Sequence, residues 1–309
     1  MLKKISGIIL TMGVLLAGQP FLLSAQDQKK LVIAIQPTST PQQLENQAKD
    51  LEAFLEERLK TEVEILFPTS YAGVIEALRF GHAHAAFMGS WPATMAQHHA
   101  GAQVVLAEIR DVIIDQEKKE APFYYSYWVV LKDSPYKNLK ELQGKKTAFS
   151  SQLSSSGYLA PLSKLVELGY LNHKEGAVDP KEFFGEVLFA GGYAQAWESL
   201  KSGQVDAMVI AGDVPEALYR EVLDNTRVLE KQGPIPSHVF VVSKDIDPAM
   251  KEKLVQALLE LNSGEHRDLM RKFVSGIFVR FETATAEHLF SLEQMIAATG
   301  FDFQEKAQK

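Results

Sequence analysis

The 309-residue chain has no cysteine. That excludes disulfides, thiolate zinc sites and thiol catalysis. It has no excess of positive charge: 32 Lys and Arg stand against 39 Asp and Glu, a formal charge of −7. Nucleic acid is therefore excluded as its main partner, because neutralising phosphates takes clustered Lys and Arg. After the first 25 residues no apolar run is long enough for a membrane span. There is no low-complexity tract. There is also no GxxxxGK[ST] phosphate loop, no G-x-S-x-G elbow and no H-E-x-x-H. No catalytic constellation, and so no enzyme, is expected, and no cofactor.

What is present is an ordinary globular composition, 46% hydrophobic and 23% charged, in a length that suits about two domains. Lys3 and Lys4 precede an apolar stretch from Ile5 to Leu23, and Leu23-Ser24-Ala25 ends on a small residue before Gln26. This is the layout of a secretory signal peptide over residues 1–25; an uncleaved anchor is the alternative. Removing Lys3 and Lys4 takes the charge from −7 to −9. The expected location is the periplasm.

Glu64–Ala86 and Glu186–Met208 align at an offset of 122 residues with nine of 23 positions identical, among them Tyr71/Tyr193, Glu76/Glu198 and Gly81/Gly203. Each copy reads strand, turn, helix, Gly, strand. Such a βαβ unit implies a parallel sheet covered by helices. The loops at Thr69-Ser70-Tyr71 and Gly191-Gly192-Tyr193 would lie at the carboxyl ends of their strands, where ligands of open α/β sheets bind. The expected fold is α/β with two lobes, each a mainly parallel sheet flanked by helices. Lobe one is placed at residues 26–126 and 240–309, lobe two at 127–239. The long run Tyr124–Leu131 is expected to cross between lobes, with Ser237–Ser243 crossing back as a two-strand hinge.

Phe149-Ser150-Ser151-Gln152-Leu153-Ser154-Ser155-Ser156-Gly157-Tyr158 follows a strand and opens a helix. Free N–H groups and the dipole at a helix start, with the hydroxyls of Ser154, Ser155 and Ser156, make an oxyanion cradle without a cation. The bland alternative is a simple N-cap serine. Tyr124, Tyr125, Tyr127 and Trp128 form an aromatic stripe; core and hinge packing is the plain reading, and the functional one makes Tyr124 or Tyr125 a cleft wall with Ser126 as a donor. Ser90 and Trp91, ahead of Pro92 at a helix start, suggest a second anion nest. His82, His84, His98 and His99 lie close in sequence, but His98 and His99 diverge on a helix, so structural histidines are favoured over a metal site.

Several motifs, in order and spacing, resemble the PhnD family of phosphate, phosphite and phosphonate ABC-transporter binding proteins. They are Leu31–Ile35, Ser70-Tyr71-Ala72-Gly73, Met88-Gly89-Ser90, Leu131-Lys132-Asp133-Ser134-Pro135, Ser154-Ser155-Ser156-Gly157-Tyr158-Leu159-Ala160-Pro161 and Gly203-Gln204-Val205-Asp206-Ala207. The resemblance runs from about residue 30 to residue 250. It implies a type II periplasmic-binding-protein fold closing around a small oxyanion. It also implies that Tyr71 and Ser154–Ser156 contact the ligand, and that Asp213 takes the place of an acid that accepts a ligand proton. Three positions depart from the family pattern: Met88 replaces an aromatic, Gly192 a histidine and His84 an aspartate.

The function expected is capture of a phosphonate, phosphite or phosphate-like oxyanion for an ABC importer. The ligand-binding set is Tyr71, Ser90, Tyr124, Ser126, Ser154, Ser155, Ser156, Tyr193 and Asp213. The expected partners are the small oxyanion and an inner-membrane permease, with the chain a monomer. A sensor presenting the anion to a histidine kinase, and a His-based metal carrier, are the alternatives.

Overall fold

The computed structural model describes residues 30–36, 41–173, 176–273 and 276–301. The expected leader, residues 1–25, lies outside them.

Elements follow the chain in three stretches. The first holds β1 (Lys30–Ile35), α1 (Pro41–Leu59), β2 (Glu62–Leu66), α2 (Tyr71–Arg79), β3 (Ala85–Met88), α3 (Ser90–Ala100), β4 (Gln103–Ile114) and β5 (Glu117–Ala121). The second holds β6 (Phe123–Leu131), β7 (Lys146–Phe149), α4 (Ala160–Glu167), β8 (Glu186–Phe189), α5 (Tyr193–Lys201), β9 (Ala207–Ala211), α6 (Glu216–Asn225) and β10 (Thr226–Pro236). The third holds β11 (Val239–Val242), α7 (Pro248–Glu260), α8 (Arg267–Phe273), β12 (Phe278–Thr283) and α9 (Phe290–Thr299).

Two sheets result. One has the order β12-β4-β11-β3-β1-β2 with β5 on β4, the other β10-β6-β9-β7-β8. The repeat seen in the sequence is the repeat in space. β1 pairs in parallel with β2 and β3, and β7 in parallel with β8 and β9. An antiparallel strand then borders each set, β11 on β3 and β6 on β9.

The central strands are buried on both faces, so they read as continuous apolar runs. Leu31, Ile33 and Ile35 face α1 and α7 through Leu51, Leu55, Leu254 and Leu258. Ala34 faces the opposite way, onto Val74, Ile75 and Leu78 of α2. In the second sheet Tyr127 and Val129 pack toward α5 and α6, while Trp128 and Val130 pack toward α4.

His84 and Asp206, equivalent positions of the two repeats that carry different residues, do the same job. His84 Nδ1 accepts from Val32 N at 2.9 Å, and Asp206 Oδ2 accepts from Lys146 N at 3.0 Å. Each satisfies a free backbone N–H near the start of its sheet's central strand. Burial pushes the His84 imidazole below its ordinary range, which keeps that nitrogen an acceptor. Among the described residues no group of three or more His, Cys, Asp or Glu is placed to hold a metal.

Two expectations about connections are corrected. Phe123–Leu131 does not cross between sheets; it lies wholly in the second, between β10 and β9. The long element is β4, twelve residues whose early part pairs with β11 and β12 and whose end, Val112–Ile114, packs into the second sheet's core. The chain crosses just before β6 and just after β10, where Ser237 N donates to Pro122 O at 2.9 Å. The last helix also departs from its expected lobe. Leu292 and Ile296 of α9 bury against Trp128, Leu162 and Leu165, so the chain end closes the second core.

Candidate functional site

A cavity of about 190 Å³ opens between the two sheets, smaller than the roughly 300–1,000 Å³ typical of drug-sized ligands. Its walls come from the carboxyl ends of the parallel strands: Gln36 after β1, Tyr71 after β2, Gly89 after β3, Ser150, Ser151 and Leu153–Ser156 after β7, Gly191–Tyr193 after β8 and Asp213 after β9. Arg110 on β4, Tyr124 on β6 and His238 before β11 complete it.

The serine loop turns into a helix through one wide π-type turn, Ser155–Leu159. Its three serines have three tasks. Ser154 Oγ caps the turn by accepting from Gly157 N at 2.9 Å. A Cβ at 157 would sit 1.9 Å from Ser150 Oγ and 2.9 Å from Ser154 Oγ, so any larger residue would displace the two serines. Ser155 Oγ accepts from Ser90 Oγ at 3.1 Å and from Trp91 N at 3.0 Å. Ser156 Oγ accepts from the Tyr124 hydroxyl at 3.1 Å and bonds the Tyr193 hydroxyl at 2.8 Å.

These bonds set polarity. A serine hydroxyl has two acceptor sites and one hydrogen. Both acceptor sites of Ser155 are filled from the first sheet's side, so its hydrogen is left to donate. Burial holds the hydroxyls of Tyr71, Tyr124 and Tyr193 above the ordinary phenol range. They stay protonated; the Tyr124 hydrogen is held by Ser156 Oγ, and Tyr71 and Tyr193 can serve as donors too. The lining is thus rich in hydrogens for an acceptor-rich guest.

Beneath the hydroxyls lies a buried charge cluster. Arg110 Nε donates to Glu108 Oε2 at 2.7 Å and Nη1 donates to Asp213 Oδ2 at 3.1 Å. The three side chains are only 4%, 0% and 9% exposed. Nη2 of Arg110 has no hydrogen-bond partner, and neither has Ser150 Oγ. Burial pushes the Asp213 carboxyl up to about 6, against the pull of Arg110. His238 Nε2 stands 4.0 Å from Asp213 Oδ2, and burial with Arg110 nearby holds the imidazole well below its usual value, hence neutral.

Of the sequence candidates, Tyr71, Tyr124, Ser154, Ser155, Ser156, Tyr193 and Asp213 line the cavity. Ser90 and Ser126 do not. Ser90 is buried behind Ser155, and Ser126 Oγ accepts from Gln232 Nε2 at 3.0 Å on the strand pair β6–β10. The second anion nest is not free either: the Trp91 N–H goes to Ser155 and the Gly89 N–H to Gln36 Oε1 at 2.9 Å. Sequence reasoning missed Gln36, Ser150, His238 and, above all, Arg110. The cradle has a cation after all. Its signal was present in Glu108-Ile109-Arg110, where two opposite charges at strand spacing share one face of an otherwise apolar run.

Two α/β sheets, each with ligand-facing loops at its parallel strand ends and a donor-lined cavity between them, define a type II periplasmic binding protein. Comparison with known proteins narrows the class. Residues 33–289 match the family model described as "ABC transporter, phosphonate, periplasmic substrate-binding protein". The chain belongs to this family, which comprises substrate-binding transport components rather than enzymes. It is 25% identical over 236 residues to the phosphate-import protein PhnD of Mycolicibacterium smegmatis, covering 72% of this chain and 69% of that protein. It is 26% identical over 239 residues to the phosphonates-binding periplasmic protein of Escherichia coli, covering 74% of this chain and 65% of that one. In structure it is similar to the binding protein component of an ABC phosphonate transporter from Pseudomonas aeruginosa, at TM-score 0.71 and 20% identity over 91% of this chain and 90% of that one. The family places the chain in the periplasm. Among the described residues no helix is long and apolar enough to cross a membrane.

Proposed function

We propose that this protein captures a small phosphorus oxyanion (phosphonate, phosphite or phosphate) in the cavity between its lobes and presents it to an inner-membrane permease. The observation that carries the reading is the state of Ser155. Its lone pairs are filled by Ser90 and Trp91, so its hydroxyl can only donate inward. An oxyanion presents acceptors in several directions, and preset donors bind it without reorganising.

Tyr71, Tyr124, Ser154, Ser155, Ser156 and Tyr193 are the proposed oxyanion contacts, with Asp213 able to accept from a protonated ligand oxygen. Ser90 supports the site from behind through Ser155, while Ser126 serves the β6–β10 strand pair. The lobes, with β6 to β10 (Phe123–Pro236) and α9 (Phe290–Thr299) in the second and the other described elements in the first, open and close about the two crossings. The Ser90–Ser155 and Trp91–Ser155 bonds hold the closed pose.

Thermal unfolding across phosphate, phosphite, methylphosphonate, sulfate and arsenate tests the reading. Ligand at about 100 times its dissociation constant adds about 2.7 kcal/mol. A rise in Tm with a phosphorus oxyanion and none with sulfate supports the proposal. No rise with any of the five rejects it.

A further inference from the structure

Among the described residues, the cavity lining holds one arginine, Arg110, one carboxylate, Asp213, and one histidine, His238. Arg110 and Asp213 are bound to each other at 3.1 Å. Glu108 sits behind Arg110, fully buried, and is not part of the lining. Among the described residues the lining therefore offers no carboxylate that is free of a cation. Its apolar members, Pro92, Leu153, Val214 and Pro215, can pack a small alkyl group but cannot solvate a charge.

We propose that Arg110 sets the ligand class: the site takes oxyanions whose substituent is uncharged and turns away those that carry an ammonium group. This rests on reading the cavity as an oxyanion site. An ammonium tail entering the cavity meets Asp213 already held by a guanidinium, so it gains no free counter-charge and faces Arg110 as a like charge. An uncharged tail meets no such obstacle. Arg110 acts in a second way, since its unpartnered Nη2 leaves one buried donor for the anion. His238 adds no positive charge, because it is held neutral beside Arg110. The hydroxyls of Tyr71, Tyr124 and Tyr193 face the same space and can give an ammonium group only neutral acceptors, not a counter-charge.

The test compares two ligands of nearly equal size, propylphosphonate and 2-aminoethylphosphonate, by calorimetry at neutral pH, with phosphite and methylphosphonate alongside. The expected result is that 2-aminoethylphosphonate binds about tenfold or more weakly than propylphosphonate. Arg110→Gln frees Asp213 and should narrow that ratio while weakening phosphite. The native protein alone decides the main point, so the result stands even if the variant does not fold. Equal or tighter binding of 2-aminoethylphosphonate overturns the inference and leaves the oxyanion reading intact. Loss of both longer ligands, with phosphite still bound, overturns it in favour of exclusion by size. No binding of any of the four overturns the oxyanion reading beneath it.

Discussion

Trp91 donates its backbone N–H to Ser155 Oγ at 3.0 Å. Trp91 stands in the first turn after β3 of one sheet, and Ser155 opens the turn after β7 of the other. One hydrogen bond thus joins the two sheets, fills an acceptor site on a cavity hydroxyl and answers a buried N–H. The Trp91 ring lies roughly parallel to Tyr158 with centroids 6.3 Å apart, so packing keeps the bond in place. A residue that would serve as a simple cap in another helix is here both latch and donor.

Ser155→Ala should therefore affect stability as well as binding. It strands the Trp91 N–H and the Ser90 hydroxyl, both buried. Leaving a buried donor unmet costs about 1–3 kcal/mol. Urea denaturation of the unliganded protein should show a loss in that range, and calorimetry a fall in oxyanion affinity. Ser90→Ala, which touches no ligand, should weaken binding less than Ser155→Ala. Unchanged stability in Ser155→Ala would mean that the latch contributes nothing to the closed form.

Arg110→Met should be the most damaging single change near the cavity. It leaves Glu108 and Asp213 buried without their cation. Breaking a buried ion pair by removing one partner costs about 3–5 kcal/mol. Adding Asp213→Asn should recover part of that, because it removes one of the two stranded acids. Chemical denaturation of the native, single and double variants measures both effects. A double variant less stable than Arg110→Met would contradict the assignment.

Asp213 also makes stability depend on pH. Burial raises its carboxyl from 3.8 to about 6 in the fold. The native state therefore holds a proton that the unfolded chain has released, and between those values stability falls as pH rises. The contribution is complete below about pH 4 and is lost by a little above pH 6, on the order of 2–3 kcal/mol. His238 works in the opposite sense: its depressed imidazole contributes stability at higher pH that is lost on acidification. Asp213→Asn keeps His238, Arg110 and the three tyrosines, so the difference between the two proteins isolates the carboxyl. Urea midpoints measured from pH 4 to pH 7 should converge or diverge through this window. A constant difference would rule out the raised carboxyl.

Much of this arrangement was legible in the sequence, for local reasons. The βαβ repeat appears as strand runs, helical spacing and matching Tyr and Gly positions within 23 residues. Tyr71 and Tyr193 follow from it, because they sit at fixed points of that unit, and the serine loop is legible by itself as a serine run between a strand and a helix. The misses are pairings between distant parts of the chain. Arg110 meets Asp213 across 103 positions, and Ser126 meets Gln232 across 106. Whether a strand serine faces a cavity or a neighbouring strand depends on which strand lies beside it, and β10 is reached only a hundred residues later. The terminal helix was visible from its own spacing. Its docking on the second sheet was not, because an apolar face does not say which core it will join.

Tyr193 marks the clearest separation between binding and folding. Its hydroxyl meets Ser156 Oγ at 2.8 Å at the cavity wall, while the Tyr124 hydroxyl reaches the same oxygen at 3.1 Å. Tyr193→Phe removes one donor but leaves Ser156 bonded to Tyr124 and strands no buried group. Net hydrogen bonds of this kind are worth about 0.5–1.5 kcal/mol. Oxyanion affinity should fall roughly threefold to tenfold with the unfolding midpoint almost unchanged. Ser156→Ala should behave differently, losing stability too, because the fully buried Tyr124 hydroxyl then has no acceptor. Ser126→Ala completes the comparison: it breaks the Gln232 bond away from the cavity, so it should cost stability and leave affinity as it was. If Tyr193→Phe bound as tightly as the native protein, the Tyr193 hydroxyl would have to be removed from the set of ligand donors, leaving Tyr71 as the phenolic donor.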